Sequence, residues 1–315
     1  MLKRLSERGG VPILCPNAET PDEMEGVFLG AQRHAVERDM PAAVVGIGVT
    51  ASYPDHPQLG RLAMGAGPCA LETAARTWLG WLDVYAGREG LFDRVEAIPF
   101  LDHGWVPLEA DRNLMKLQWF QEAMGIIMFD ASLHEFEKNV ELTASYVREA
   151  GNRVVVEACP DKVYEHAEIE RKQLSEGGML SDPVRVREFV NLTGVDLVVP
   201  NLGTEHRTLS KVPLEYRRDI AQGIEKQVGP IQALHGTSSL GDRLRTVGED
   251  GICKVNFYTA MARRASVAVK AGWDQVPSGE PLPISLACGS AIHATRRAAF
   301  SETTFSVLDL LAAER

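Results

Sequence analysis

The feature that most constrains the fold is a series of short apolar runs, rich in β-branched residues, that recurs along the chain. Each run is nearly continuous in hydrophobicity, which is typical of strands buried on both faces of a parallel sheet. The eight runs are Val11–Cys15, Ala42–Val49, Val95–Leu101, Gly125–Phe129, Arg153–Glu157, Asp196–Pro200, Pro230–Leu234 and Ile252–Phe257. Strands of this kind require helices to cover the faces of their sheet.

Segments with helical periodicity lie between these runs. The predicted helices are Thr20–Arg38, Glu135–Ala150, Asp182–Thr193, Pro213–Val228 and Ala260–Gly272. Because strands and helices alternate without a long linker, we predict one α/β domain, a (β/α)8 TIM barrel over residues 1–315. Helices from about residue 273 are expected to close the barrel or to join subunits. A doubly wound open sheet is the alternative, but no GxGxxG motif follows the first run.

Composition excludes several classes of partner. The 315 residues carry a formal net charge of -10, whereas binding to nucleic acid requires a basic face. The apolar runs are far shorter than the roughly 20 residues that span a bilayer. The five cysteines are widely spaced and form no CxxC pair, which is typical of a reduced cytoplasmic protein. We therefore expect a cytoplasmic protein with neither a nucleic-acid nor a membrane partner.

Three of the eight histidines follow predicted strands. His103 comes after the third strand and directly follows Asp102, His206 follows the sixth strand, and His235 ends the seventh. In a barrel all three would lie on the C-terminal rim, where three imidazoles with an open fourth position make a catalytic zinc site. Hydrogen bonding of these histidines to backbone groups is the alternative. Asp102 could move a proton of a metal-held substrate or orient a ligand histidine.

Small polar residues follow the last two strands. Gly236 and Ser238 come after the seventh strand, and Asn256 and Thr259 lie at the end of the eighth. The loops after strands seven and eight are the usual phosphate site of barrel enzymes, where backbone N–H groups bind anions. These positions are therefore candidate contacts for an anionic substrate.

Several motifs, in order from Met1 to about Lys270, resemble those of the class II, zinc-dependent fructose-bisphosphate/tagatose-bisphosphate aldolases. The matching segments are Leu101–Gly104, Phe129–Ser132, Phe136–Val140, Ser181–Pro183, Thr193–Asp196, Gly203–His206, Leu234–Gly236, Gly251–Asn256 and Thr259. The resemblance implies a (β/α)8 barrel that forms a homodimer or homotetramer.

The same resemblance implies a mechanism and a role for each site residue. Zn2+, or another divalent metal, would bind His103, His206 and His235, and Asp102 would move the proton of the hydroxyl where the C–C bond breaks. The metal would stabilise the enediolate that remains. Gly236, Ser238, Asn256 and Thr259 would bind the substrate, a small anionic sugar of carbohydrate metabolism. The second acid of the family's lid is not recognisable in this sequence.

Other departures from the family pattern surround the substrate. Glu157 is kept after strand five, but Cys159 replaces the second glutamate, which belongs to a buried cation site. Asp130 and Glu157 are thus candidates either for a second cation or for orienting a ligand histidine, and Asp130 could also cap a helix. Arg207 stands where the family has glycine, and its planar guanidinium suits a carboxylate or phosphate.

The leading hypothesis is an aldehyde-lyase of the class II, metal-dependent type. It would cleave or form a C–C bond of a ketose or ketose phosphate other than fructose bisphosphate. A zinc-dependent sugar-phosphate isomerase or epimerase, which breaks no C–C bond, is one alternative. A non-catalytic sugar-phosphate-binding protein is the other, because the lid acids are missing.

Overall fold

The computed structural model describes residues 10–53, 58–63, 70–86, 91–162, 180–204 and 215–312. Within these residues eight parallel strands, paired in chain order, close into a barrel. They are β1 (Ile13–Pro16), β2 (Ala43–Thr50), β3 (Val95–Trp105), β4 (Ile126–Asp130), β5 (Val155–Ala158), β6 (Leu197–Val198), β7 (Gln232–Leu234) and β8 (Ile252–Phe257). The predicted (β/α)8 barrel is therefore confirmed.

Helices surround this barrel. They are α1 (Pro21–Glu37), α2 (Gln58–Leu62), α3 (Ala70–Ala86), α4 (Glu109–Lys116), α5 (Gln118–Ala123), α6 (Phe136–Ala150), α7 (Pro183–Thr193), α8 (Arg218–Val228), α9 (Thr259–Trp273), α10 (Ile284–Ala287) and α11 (Ser290–Ala312). Three 3-10 helices, Thr237–Ser239, Gly241–Arg245 and Val247–Asp250, connect β7 to β8.

Several elements differ from the sequence-based expectation. Helices α2, α3, α4 and α5 were not predicted, although the buried residues Ala74, Trp78 and Leu82 of α3 recur at helical spacing. Helix α8 begins at Arg218 rather than at residue 213. Arg217, the residue before the helix, donates its N–H to the Leu202 carbonyl and not to a helical partner. Strand β6 is shorter than predicted and covers only Leu197–Val198; just before it, the Asp196 carboxylate accepts the Val156 N–H at 2.8 Å.

The barrel interior holds two apolar layers below its mouth. The lower layer consists of Ile13, Cys15, Phe100, Ile126, Val155 and Leu197. The upper layer consists of Met128, Cys159, Val199 and Ala233. Glycines in β2 make room for this packing: a Cβ on Gly46 would lie 2.3 Å from Cys15 Sγ, and one on Gly48 would lie 2.1 Å from the Phe100 ring.

The last helix, α11, packs mainly along α1 and also contacts α9 and β1. Two glycines of α1 permit the close approach, because a Cβ on Gly26 or Gly30 would lie within 2.5 Å of a carbonyl oxygen of α11. Exposed and half-buried ion pairs, such as Arg297 with Glu25 at 2.8 Å, line the same contact. Across the described ranges, none of the helices has both the length and the apolar character needed to cross a membrane.

Candidate active site

An irregularity in β3 places Asp102 and His103 in the same mouth of the barrel. Leu101 pairs with Ile127 and Gly104 with Phe129, so one extra residue is inserted in β3 relative to β4. His103 has a left-handed backbone with a φ of 49°. Successive side chains of a regular strand point to opposite faces. The β-bulge removes that alternation and allows both side chains to face inward.

His103 is oriented by Asp130 at the end of β4. Its Nδ1 donates to Asp130 Oδ2 at 2.6 Å, while Asp130 Oδ1 accepts the N–H and hydroxyl of Ser132 at 3.1 and 2.6 Å. Burial lowers the pKa of His103, but the hydrogen bond to Asp130 and the nearby carboxylates raise it above its ordinary value. The Asp130 pKa, which burial raises, is lowered overall by His103 and Ser132. The pair thus fixes the imidazole with its Nε2 toward Asp102, 4.0 Å from Oδ1.

His235 is held on the opposite side of the mouth. It follows β7, and its Nε2 lies 3.2 Å from Glu157 Oε1. Since a carboxylate only accepts, the ring proton is on Nε2 and Nδ1 faces Asp102, at 3.9 Å from Oδ1. Burial lowers the pKa of His235 well below its ordinary value. The imidazole is therefore neutral at neutral pH, as a metal ligand must be.

Two amides hold the Asp102 carboxylate. Asn17, directly after β1, donates to Oδ2 at 2.8 Å, and Asn256 on β8 donates to Oδ1 at 2.9 Å. Burial raises the pKa of Asp102, but the positive charges of His103 and Lys254 and the Asn17 hydrogen bond lower it below its ordinary value. Asp102 is thus ionised at neutral pH and points at a fixed position in the mouth.

Asp102, His103 and His235 together form a donor set that fits a metal ion. One ligand atom from each lies within 4.8 Å of the others, and all three residues are buried. Imidazole nitrogen and carboxylate oxygen are donors that zinc prefers. Binding there would compete with protonation of His103, whose pKa is raised. The other predicted ligand, His206, and its neighbour Arg207 lie outside the described residues.

The position of Cys159 bears on the predicted second cation site. Its side chain packs in the upper apolar layer with Met128, Val199 and Ala233, where burial raises the thiol pKa well above its ordinary value. A neutral thiol among apolar side chains is a poor metal ligand. Asp130 and Glu157 each contact a candidate ligand histidine instead.

The loops after β7 and β8 form a small pocket beside Asp102 and His235. Gly236 is left-handed with a φ of 66°, and it leads into the 3-10 helix that contains Ser238. Ser238 Oγ accepts the N–H of Ala260 at 3.1 Å, in the first turn of α9, which begins at Thr259. No arginine or lysine is among the described residues that line this pocket, so an anion there would depend on backbone N–H groups and hydroxyls.

Sequence reasoning missed three residues of the site: Asn17, Tyr53 and Lys254. Asn17 directly follows a buried strand, and that position was its available signal. The centroid of the Tyr53 ring lies 5.0 Å from that of His103 and 5.2 Å from that of Trp105. The proline-rich sequence around Tyr53 suggested only a loop. Lys254 was detectable as a single charge within the apolar run of β8.

The fold and the site define a (β/α)8 barrel with candidate metal ligands at the carboxyl ends of β3 and β7. Residues 88–304, more than half of the chain, match the family described as "Fructose-bisphosphate aldolase class-II". The chain therefore belongs to the class II fructose-bisphosphate aldolase family, as its motifs indicated.

The chain is also similar to individual proteins. The uncharacterized protein YdjI of Escherichia coli K12 is 29% identical over 188 residues, which are 58% of this chain and 63% of that relative's length, less than two thirds of it. The X-ray structure of the YdjI aldolase aligns with a TM-score of 0.67 and 20% identity over 99% of this chain and 96% of that chain. Fructose-bisphosphate aldolase from Campylobacter jejuni aligns with a TM-score of 0.73 and 14% identity over 99% and 93%. At these identities the structures establish a shared fold.

Proposed function

We propose that this protein is a zinc-dependent aldolase that cleaves or forms a C–C bond of a ketose or ketose phosphate. The observation that carries the proposal is the cluster of Asp102, His103 and His235 within 4.8 Å at the barrel mouth. Membership of the class II aldolase family supports it. When bound, zinc supplies Lewis-acid chemistry that polarises a carbonyl and stabilises negative charge. His206 is proposed as the third histidine ligand.

Asp102 is the proposed proton-transfer residue. It is ionised and nearly buried, at 9% exposure, and both of its oxygens accept an amide hydrogen bond. In the cleavage direction it takes the proton of the substrate hydroxyl next to the bond that breaks, and in synthesis it returns that proton. A carboxylate with a lowered pKa is a weak base, so its effectiveness depends on exact placement beside the substrate.

The substrate is proposed to be a small anionic sugar. Its anionic group would bind at Gly236, Ser238, Asn256 and Thr259, which line one pocket together with Asp102. Arg207 is proposed to contact a further carboxylate or phosphate. Because the described lining of the pocket carries no cation, replacing Arg207 by glycine should weaken the binding of a doubly charged ketose more than that of a singly charged one.

A product screen tests the proposal. The zinc-loaded protein would be incubated with ketoses and with ketose mono- and bisphosphates, and released aldehyde would be trapped and identified. Cleavage that EDTA abolishes and zinc restores is expected, with a large loss of rate in His206→Ala. Conversion of a ketose only to products with the same number of carbon atoms would instead indicate an isomerase or epimerase. Zinc binding without any turnover would indicate a sugar-phosphate-binding protein.

We further propose that the protein acts in the cytoplasm as a homodimer or homotetramer. The described cysteines, Cys15, Cys159, Cys253 and Cys288, are free thiols, which supports a reducing compartment. Light scattering coupled to size-exclusion chromatography would measure the subunit number, and a monomer at micromolar concentration would contradict this part of the proposal.

A further inference from the structure

Lys254 is a lysine enclosed in the barrel interior. Its side chain, on β8, is 1% exposed. The Nζ atom lies 3.0 and 2.9 Å from the two carboxylate oxygens of Glu157, which is itself fully buried, and 2.5 Å from Asn256 Oδ1. The centroid of the Phe100 ring lies 4.5 Å from Lys254 Nζ. The ammonium group is thus enclosed by one carboxylate, one amide and one aromatic face.

A contribution to the stability of the fold does not explain why a buried ion pair occupies this position. Removing two charges from water is costly, and well-packed apolar residues of similar volume are often as stable or more stable. Apolar layers already fill the barrel interior around Lys254. The two contacts of its ammonium group point to a different purpose, because each leads to a residue of the active site.

The first contact leads to His235. Glu157 Oε1 lies 3.0 Å from Lys254 Nζ and 3.2 Å from His235 Nε2. Lys254 therefore keeps this oxygen in the position where it accepts the Nε2–H proton. In this tautomer His235 presents the lone pair of Nδ1 to Asp102 and to the candidate metal position.

The second contact leads to Asp102. The two ends of an asparagine amide differ only in which is donor and which is acceptor. Since Lys254 can only donate, it requires Asn256 Oδ1 on its own side and so directs Asn256 Nδ2 toward Asp102 Oδ1 at 2.9 Å. The Asp102 carboxylate only accepts and so favours the same orientation, and Lys254 holds the amide from its other end.

We infer that Lys254 is a positioning residue, which orients His235 through Glu157 and Asp102 through Asn256. One ammonium group thereby sets the tautomer of a metal ligand and the position of the proton-transfer carboxylate. The catalytic consequence of this role rests on the proposed function. The effect of Lys254 on the His235 tautomer does not depend on which reaction the protein catalyses.

The decisive variant is Lys254→Met/Glu157→Gln. It removes both charges of the ion pair together, because removing one partner alone would leave a buried charge and could prevent folding. Glutamine keeps an acceptor oxygen for His235 Nε2–H, so a change of tautomer reports the loss of Lys254. The matched control is Lys270→Met/Asp274→Asn, which removes an exposed pair at the C-terminal end of α9 with a 2.5 Å contact. Single Lys254→Met would be measured in addition if it folds.

Three measurements follow. Nitrogen-15 NMR of labelled histidine in the metal-free protein should show His235 protonated on Nε2 in the wild type and in the control, and a mixture of tautomers in the decisive variant. Zinc affinity, from competition with a chelator, should fall about 10- to 100-fold. At saturating zinc and substrate, kcat should still fall at least about tenfold through the loss of the Asn256 contact, with KM less affected.

Different results separate the possible failures. If the folded decisive variant keeps the Nε2–H tautomer, wild-type zinc affinity and wild-type kcat, Lys254 is merely structural and the inference is wrong. If borohydride with a ketose covalently labels Lys254, the residue is a nucleophile and not a positioning group. If the wild type binds no zinc and turns over no substrate, the proposed function fails, and the NMR comparison alone decides the role of Lys254.

Discussion

His103 combines a functional side chain with an unfavourable backbone. Its φ of 49° lies in the left-handed region, where a residue with a Cβ costs about 1–3 kcal/mol. The next residue is glycine, and a Cβ at Gly104 would lie 2.2 Å from Met115 Sδ and 2.9 Å from the Met128 carbonyl oxygen. The β-bulge therefore depends on both His103 and Gly104. The close packing of Gly104 against Met115 and Met128 offsets the backbone strain at His103.

Gly104→Ala should disturb this arrangement directly. We expect a loss of about 1–3 kcal/mol in the free energy of unfolding from overpacking, together with weaker zinc binding as Asp102 and His103 shift. Denaturant titration and chelator competition would measure the two effects. Gly80→Ala is the control, because its Cβ would meet nothing within 4 Å on the exposed side of α3, and it should stabilise by about 0.5–1 kcal/mol. An unchanged Gly104→Ala protein would contradict this account of the bulge.

At the scale of elements, α4 is tied to β3 immediately after the bulge. Asp111 of α4 accepts the N–H of Trp105 at 2.9 Å and that of Ser52 at 3.4 Å. Burial raises the pKa of this carboxyl above its ordinary value, although the same hydrogen bonds lower it in part. The folded protein therefore binds a proton at Asp111 more readily than the unfolded chain does.

Asp111 should thus make stability depend on pH in a defined direction. Because its pKa is higher in the folded state, ionisation costs stability, and this cost grows as the pH rises through the folded-state pKa. Asp111→Asn cannot ionise. The difference in unfolding free energy, variant minus wild type, should therefore increase between about pH 4 and pH 7. Urea titrations at several pH values would measure it, and a difference that stays constant or decreases would show that burial does not raise this pKa.

The sequence predicted the strands and helices better than it predicted the side-chain contacts between them. Continuous apolar runs identified all eight strands, because strands buried on both faces leave that pattern, and glycine caps located the ends of α6 and α7. The pairing of His103 with Asp130, of His235 with Glu157 and of Asp102 with Asn17 was not derivable. Each joins residues from different strands, and the inserted residue of β3 depends on the packing of Gly104 rather than on any local propensity.

At the scale of the whole molecule, the candidate ligands connect distant parts of the barrel. His103 belongs to β3, whereas His235 follows β7 on the other side of the ring, and their imidazole centroids are 5.1 Å apart. A metal ion held between them would link halves of the chain that are far apart in sequence. Binding to the folded state alone stabilises the entire fold.

Zinc should therefore raise the melting temperature. At a free concentration 100 times Kd the gain is about 2.7 kcal/mol, which for a chain of this length is about 4 °C. Differential scanning fluorimetry with and without zinc, followed by EDTA, would measure the shift. His235→Ala should abolish it, whereas His293→Ala, at an exposed histidine of α11, should retain it. A shift that persists in His235→Ala would place the zinc elsewhere.

The extra residue in β3 also bears on protein engineering. Copying Asp102 and His103 onto a regular strand of another barrel would turn one of the two side chains toward the surrounding helices. A designer would have to transfer a backbone segment, from Leu101 to Gly104, together with a partner strand that tolerates the mismatch. The part of this active site that can be transferred is therefore a backbone conformation. The two side chains are useful only when they are attached to that backbone.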